Sequence, residues 1–559
     1  MHAKFVARFT GAAYGRYLIF IAGMGGLLYG IDVGIISAAL LYLGKTINLT
    51  LGQTSLIVAA VLGGSMFSSL VAGFFADWFG RKTMMTVSGL LFIASVGLIV
   101  LSQGFLSLFL GRLLQGLSGG VIAVVVPLYL AESLSAGNRG KGSGIFQLML
   151  TVGIVIASFI GWFYTRQTES SIVAAAGNAA LIRIAQDHAW RSMFLAVVYP
   201  GLVFFFGTFF LSETPRWLFK QGRVEDALSA LRRSSSEQEA DLQLQEMRTL
   251  SLVHGKSSAG IFRSLLQRKY ILPFGLACII LACNQATGIN SILGYLVIIL
   301  KQGGLTAQRA TQADLTVKLL NCCMTVVAVL LVDKKGRKFL LSLGTAGIIV
   351  ALSSAALLFH SFEVKRSDVR DAVQAHVQGG RLSLPIQAIA GNASSDTMSL
   401  TVLYSYGSGD KIATALTTEG NATLSIQPDE ATSKAPLVIE HAFYGPVPSE
   451  RTGGWIALCI ALFVASFSVG PGVVVWLALS ELMPTRIRSG GMGFALLLNQ
   501  GISTAIAAVF LPAVGRYGYF AMFAFWTVCT LIYFATAVFF LPETKGKTLE
   551  EIEASFEHG

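Results

Sequence analysis

The chain has 559 residues, of which 54% are hydrophobic and only 13% charged, with a mean hydropathy of +0.66. Soluble globular proteins carry roughly 25% charged residues, so the composition excludes a soluble enzyme or binding module and requires an integral membrane protein. The net charge of +11 is the one feature that could suggest nucleic acid, and membrane topology accounts for it instead.

Apolar runs of about 20 residues, the length that crosses a bilayer, lie near 17–41, 54–76, 85–103, 107–131, 143–164 and 192–211. Six more follow near 271–300, 313–332, 339–359, 454–480, 490–514 and 520–541. The first is too long for a signal-peptide core and has no cleavage site, so no cleaved secretory signal is expected. Twelve crossings put both termini on one side. Most of the 41 Lys and Arg fall in segments sharing that side, so the positive-inside rule predicts cytoplasmic termini on a multi-pass cell-membrane protein. All six Cys lie in apolar runs and read as small buried hydrophobes rather than a disulfide framework.

Two polar segments interrupt the runs. Residues 212–270, rich in Arg, Glu, Gln and Leu, separate six spans (1–211) from six, and VEDALSALRR has helical periodicity. A helical cytoplasmic linker is predicted there. Residues 360–450 divide the second half into 271–359 and 451–541. They alternate polar and apolar in MSLTVLYSY (398–406) and ATLSIQ (422–427) and carry the turn signal at Gly407 to Asp410, which predicts a small external β-rich insertion. Asn392 and Asn421 stand in glycosylation-type triplets. Residues 542–559 form a cytoplasmic tail.

One short signature occurs twice, as AGFFADWFGRK ending at Lys82 and as LVDKKGRK ending at Lys338. Gly80 and Gly336 allow two helices to reverse tightly at the water interface, and Asp77 and Asp333 can hold the basic pair that follows. Anchoring the turn is the plain reading; duplication within a membrane chain adds transport across the interface of two halves.

Ionisable side chains inside a span are costly and usually functional. Asp32 is the single charge in the first run, and Arg112 in the fourth can lie at comparable depth, since both are counted at about 1.5 Å per residue. A carboxylate held between guanidinium and desolvation can take up and lose a proton; a purely structural ion pair is the alternative. Gly26, Gly30 and Gly34, with Gly116, Gly119 and Gly120, form small-residue stripes for close helix packing. Uncharged amides collect at Gln147, Asn284, Gln285, Asn290, Asn321, Asn499 and Gln500, with Thr287 among them. Amides both donate and accept, which suits a polyol better than a metal or lipid, and Trp476 can stack on a sugar face. Singly, each amide reads as interhelical glue. No nucleophile–base pair or metal-ligand cluster stands in the spans, so no enzyme, metal or cofactor is expected.

Motifs in order along both halves carry a family resemblance: YGIDVGIISAAL (29–40), GRLLQG (111–116), PLYLAE (127–132) with RGK (139–141), SETPRWL (212–218), NQATGIN (284–290), VDKKGRK (332–338), GPGVVVWLALSELMPTRIR (470–488) and PETKGKTLEEIE (542–553). The chain resembles the sugar porters of the major facilitator superfamily everywhere except 360–450. The resemblance implies an all-α membrane protein, twelve helices in two six-helix halves, with an alternating-access cavity between them. It implies sugar contacts from Gln147, Asn284, Gln285, Asn290, Asn321, Trp476 and Asn499, and proton coupling at Asp32 with Arg112. It also implies a cytoplasmic gating network of Asp77, Arg81, Glu132, Arg139, Asp333, Arg337, Glu481 and Arg488. Gly294, Gln500, Val473 and Val475 depart from the usual aromatic or proline residues. The function read from these residues is proton-coupled import of a monosaccharide or polyol by a monomer in the lipid bilayer, the alternatives being a facilitative uniporter and a non-transporting sugar sensor.

Overall fold

A computed structural model describes residues 12–134, 136–234, 237–253, 268–389, 397–407, 409–417, 423–428, 435–475 and 488–543. Among them, eleven helical stretches are long and apolar enough to cross a membrane. The last, Gly493–Phe540, breaks at Gly518, where φ is 81°, and so folds as two arms. The result is twelve spans. The first six are Ala13–Thr46, Leu51–Phe79, Arg81–Val100, Phe105–Ser133, Gly144–Ala174 and Ala179–Phe209. The others are Ile271–Gln302, Ala307–Val332, Arg337–Glu363, Glu450–Val475 and the two arms about Gly518.

Within the first half, glycines set how closely helices approach. A Cβ on Gly26 or Gly30 of span one would run into the carbonyls of Phe146 or Leu150 on span five, and one on Gly34 would meet the Cβ of Ala157 at 2.7 Å. Gly153 of span five returns the contact at the carbonyl of Leu27. Gly116 and Gly120 of span four press in the same way on Val61 and Ser65 of span two. In a membrane, close van der Waals contact of this kind substitutes for the hydrophobic drive that water supplies.

Spans five and six are longer than the apolar runs at 143–164 and 192–211. Hydropathy marks only the part of a helix that faces hydrocarbon, and here both helices continue past it. The Tyr42 hydroxyl donates to Glu169 at 2.8 Å and the Trp190 indole donates to Thr46 at 2.9 Å, tying the extensions to the end of span one. Asn178 caps the returning helix by accepting from the backbone of Ala180 and Leu181.

Three short helices, Pro215–Lys220, Val224–Ser234 and Glu237–Val253, follow span six. After span nine the chain forms two antiparallel sheets. One has the order β1–β7–β4–β5, from β1 (Ser367–Asp368), β7 (Val438–Pro446), β4 (Met398–Ser405) and β5 (Asp410–Leu416). The other has the order β2–β3–β6, from β2 (Val377–Gln378), β3 (Arg381–Pro385) and β6 (Thr423–Ile426). Leu382 and Leu384 of β3 point inward while Arg381 and Ser383 face water, the period-two pattern of a half-buried strand. With Leu400, Val402, Leu424, Ile426 and Ile439 they build a core separate from that of the spans.

The module rests on one end of the bundle and touches both halves. Lys411 donates to Asn48, between spans one and two, at 2.6 Å. Arg516, between spans eleven and twelve, pairs with Asp410 at 3.1 Å. Because the module has its own core and polar, exposed contacts to the bundle, replacing 366–447 by a short Gly/Ser linker is expected to leave the bundle folded. Circular dichroism and a monodisperse elution profile in detergent check this; an aggregated or unfolded bundle would show that the module completes the membrane core.

Candidate functional site

Asp32 and Arg112 are charged residues only 1% exposed. Arg112 Nη1 donates to Asp32 Oδ1 at 3.0 Å and to Gln115 Oε1 at 2.7 Å, and the guanidinium lies over the Phe194 ring, 5.6 Å from its centroid. Span four can come this close because Gly119 faces span one: a Cβ there would stand 3.1 Å from the Tyr29 ring and 3.6 Å from Asp32 Oδ2. Among the described residues, that second carboxylate oxygen has no hydrogen-bond partner. One oxygen is held by the arginine and the other is open.

Span seven is broken in its middle. Its parts, Arg268–Ala286 and Ile289–Gln302, meet at Gly288, whose φ of 82° falls in the left-handed region that favours glycine. Trp526 packs against it where a Cβ would be. The break turns Gln285 and Asn290 toward each other: Asn290 Nδ2 donates to Gln285 Oε1 at 2.9 Å and to Ser503 Oγ of span eleven at 2.7 Å. Among the described residues, Asn284 and Asn499, each 2% exposed, keep a side-chain carbonyl without a partner. A buried acceptor left open is unusual, and a hydroxylated ligand or water would complete both.

The remaining amides are placed as follows. Asn321 of span eight accepts from Ser468 of span ten at 2.6 Å. Gln147 of span five is exposed, one turn before Thr151, whose hydroxyl donates to Cys322 Sγ beside Asn321 at 3.5 Å. That bond brings the helix of Gln147, in the first half, to the helix of Asn321, in the second. Trp476 and Glu481 lie outside the described residues, as do the side chains of Arg139, Asp333 and Arg488.

At the end away from the module, Arg81 pairs with Asp77 at 2.7 Å and with Glu132 at 2.9 Å. Glu132 accepts from the Thr214 hydroxyl at 2.6 Å, and Lys220 of the first linker helix reaches Asp77 at 3.1 Å. Arg337 donates through its backbone N–H to Glu543 at 3.0 Å.

Two acids absent from the expected network organise these turns. The carboxylate of Glu213 accepts from the backbone of Arg81 and Lys82, and that of Glu543 from Arg337 and Lys338. Each sits at the N-terminus of the helix after the turn, where unsatisfied N–H groups and the helix dipole favour an anion. Each also fills the space a Cβ on Gly80 or Gly336 would need. Burial pushes the Glu213 carboxyl above the ordinary glutamate range, opposed by the N–H bonds from Thr214, Lys82 and Arg81. Their sequence signal is S-E-T-P after span six and P-E-T-K after span twelve, the same duplication that marks the Gly-Arg-Lys turns.

A second intramembrane ion pair was not among the expected residues either. Asp314 and Lys318, one helical turn apart on span eight, pair at 2.9 Å with side chains 1% and 0% exposed.

The family model for sugar (and other) transporters matches residues 18–370 and 437–556, and its gap falls inside the β module. The glucose transporter GlcP of Staphylococcus epidermidis is 28% identical over 96% of this chain and 96% of its own. The arabinose-proton symporter of Bacillus subtilis is 26% identical over 95% and 93%, and the major myo-inositol transporter IolT of the same organism is 26% identical over 97% and 94%. Among solved structures, the partially occluded inward-open xylose transporter XylE from E. coli aligns with a TM-score of 0.67 at 20% identity, over 96% of this chain and 100% of that one. This likeness establishes a shared fold.

If Glu213 and Glu543 play equivalent parts, Glu213→Ala and Glu543→Ala should each destabilise the protein by about 1–2 kcal/mol, the usual size of a lost helix cap. Glu→Gln at either site keeps an acceptor and should recover most of the loss. Thermal unfolding in detergent reads both; unchanged midpoints in the two Ala variants would show that water replaces the carboxylates without cost.

Proposed function

The chain belongs to the sugar (and other) transporter family, and from this we propose that it imports a monosaccharide or a polyol such as inositol by alternating access, driven by proton influx through Asp32. The observation that carries the coupling is the geometry of Asp32: fully buried, bonded to Arg112 through one oxygen, with the other oxygen open. A titratable group in this setting can exchange a proton when the cavity opens to water on either side.

The amides support a polyhydroxylated ligand. Gln285, Asn290, Asn284, Asn321 and Asn499 come from spans seven, eight and eleven, and two of them have open carbonyls. Hydroxyls can satisfy such groups as donors and acceptors at once. The broken span seven is the kind of discontinuous helix that forms substrate sites at the interface of transporter repeats. Gln147 would complete the cavity from the first half and Trp476 would stack on the sugar.

Alternating access needs contacts that close one end at a time. At the module end the halves meet directly: the backbone of Leu511 on span eleven donates to Ser55 of span two at 3.1 Å, and Gly294 of span seven lies 3.4 Å from Val58, measured from an added Cβ. At the other end, Asp77, Arg81, Glu132 and Glu213 bond within the first half, and Arg337 and Glu543 within the second. We read this arrangement as closed at the module end. The positive-inside rule supports a module outside and a linker in the cytoplasm of a cell membrane, and the family resemblance would add Arg139, Asp333, Glu481 and Arg488 to the network there. One protomer contains every residue invoked, so a monomer suffices.

Gln285→Ala or Asn290→Ala should weaken sugar binding by about 1–3 kcal/mol, because a buried hydroxyl or amide loses its partner. Calorimetric titration with a monosaccharide and inositol panel reads this, and unchanged affinity in both variants would remove the pair from the site.

A proton falling through 100 mV supplies roughly 2.3 kcal/mol, enough for about 50-fold accumulation at 1.4 kcal/mol per decade. Asp32→Asn keeps the shape and the bond to Arg112 but cannot titrate. In proteoliposomes it should abolish uphill uptake while retaining binding and downhill exchange. Accumulation at the unsubstituted level would exclude Asp32 from coupling, and an unsubstituted protein indifferent to a pH gradient would establish a uniporter.

A further inference from the structure

The Lys318 side chain is 0% exposed, and its ammonium has three N–H bonds to place. One goes to Asp314 on its own helix, at 3.0 Å. The other two cross to span one, in the other half: to Ser37 Oγ at 2.9 Å and to the backbone carbonyl of Gly34 at 3.2 Å. Ser37 Oγ also lies 3.2 Å from Asp314 Oδ1, to which it can donate. A charge pair serving only to hold span eight in its own half would find its partners there. This one depends on span one for most of its bonds.

We propose that Asp314 and Lys318 form an ionic latch that holds the two halves together at the module end, by capturing the backbone of span one two residues beyond Asp32. Ions in a low-dielectric interior are tolerated only while every donor and acceptor is satisfied. With the halves closed, span one completes the set. When they part, the ammonium keeps Asp314 alone and must draw its other partners from water entering the vestibule. The pair therefore has two satisfied end points, one dry and one hydrated, with unmet bonds between them, which makes opening at this end a discrete step.

The latch acts on transport through span one. Ser37 and Gly34 follow Asp32 on that helix, and Lys318 lies one turn before Asn321 on span eight, so the group that would couple the proton and an amide that would meet the sugar each neighbour it. Asp314 and Lys318 are positioning residues: they set which side the cavity faces. This inference rests on the alternating-access reading, and its test separates the two.

Two variants of the full chain in lipid nanodiscs are compared with the unsubstituted protein. Ser37→Ala removes one cross-half bond and leaves the ion pair intact. Asp314→Asn with Lys318→Met removes both charges together, leaving no lone buried ion. Hydrogen–deuterium exchange over residues 34–46 and 307–320 reports opening at the module end, and sugar uptake from that side gives KM and kcat. Ser37→Ala should raise the open-to-closed ratio about tenfold, equal to about 1.4 kcal/mol, and the double variant should raise it further. Both should lower KM from the module side while the thermal unfolding midpoint of Ser37→Ala stays near its unsubstituted value.

A merely structural pair would lower the midpoint and leave exchange and KM unchanged, and that result overturns the latch. If the double variant does not fold, Ser37→Ala decides alone. If no sugar is transported by the unsubstituted protein, the transport reading fails, and the exchange measurement still decides whether the latch exists.

Discussion

A charge inside hydrocarbon persists only where fixed partners replace its water, and that constraint organises this molecule around span one. Asp32 on that helix meets Arg112 from span four at 3.0 Å; a turn further, its Gly34 carbonyl and Ser37 hydroxyl meet Lys318 from span eight. One contact lies inside the first half and the other joins the halves. Span one can serve both because its glycine stripe seats it against the carbonyls of span five, leaving its other faces for polar work. The Gly26–Gly30–Gly34 packing is thus a precondition of the electrostatics.

The same economy appears at the opposite end. Two turns, at Gly80 and Gly336, are each held by a carboxylate from the segment after the last span of their own half, Glu213 and Glu543. Each carboxylate caps a helix and occupies the room that glycine leaves. The duplication is therefore one of interactions as well as of residues: a positive-φ turn, a basic pair and a distant acid recur together. Because the described bonds of each set close within its half, the turns would move as rigid corners if the halves change their relation as proposed.

Much of this was legible in the sequence, for stated physical reasons. Composition and run length expose the spans, since hydrocarbon imposes a fixed length on every crossing. Asp32 and Arg112 stand out because no other charge shares their stretch, and counting at helical rise puts them at one depth. Asp314 and Lys318 escaped because they stand among the first residues of the apolar run drawn from 313, where charge ordinarily marks the edge of the membrane. Their burial comes from span one, which no local pattern reveals; the i, i+4 acid–base spacing was the available clue. Glu213 and Glu543 stand inside the SETPRWL and PETKGKTLEEIE motifs but carry no local sign that they cap helices distant in sequence. The lengths of spans five and six were underestimated because their extensions are polar, and Tyr42, Thr46 and Asn178 hold them in place of lipid.

Distance along the helices orders the steps of a transport cycle. Asp32 lies inward of Gly34 and Ser37 on span one, and Asn321 lies inward of Lys318 on span eight, so water approaching from the module end would reach Lys318 before Asp32 or that amide. On the proposed mechanism, while the latch is closed Lys318's two cross-half bonds stand between the module end and Asp32, and Asp32 would exchange protons only with the other side. Release of the latch and exposure of Asp32 to the module side would then be one event in space, with no separate element needed to synchronise them. A pair of charges one turn apart, on the helix of Asn321 and bonded to the helix of Asp32, would on this proposal connect gate, substrate and ion directly.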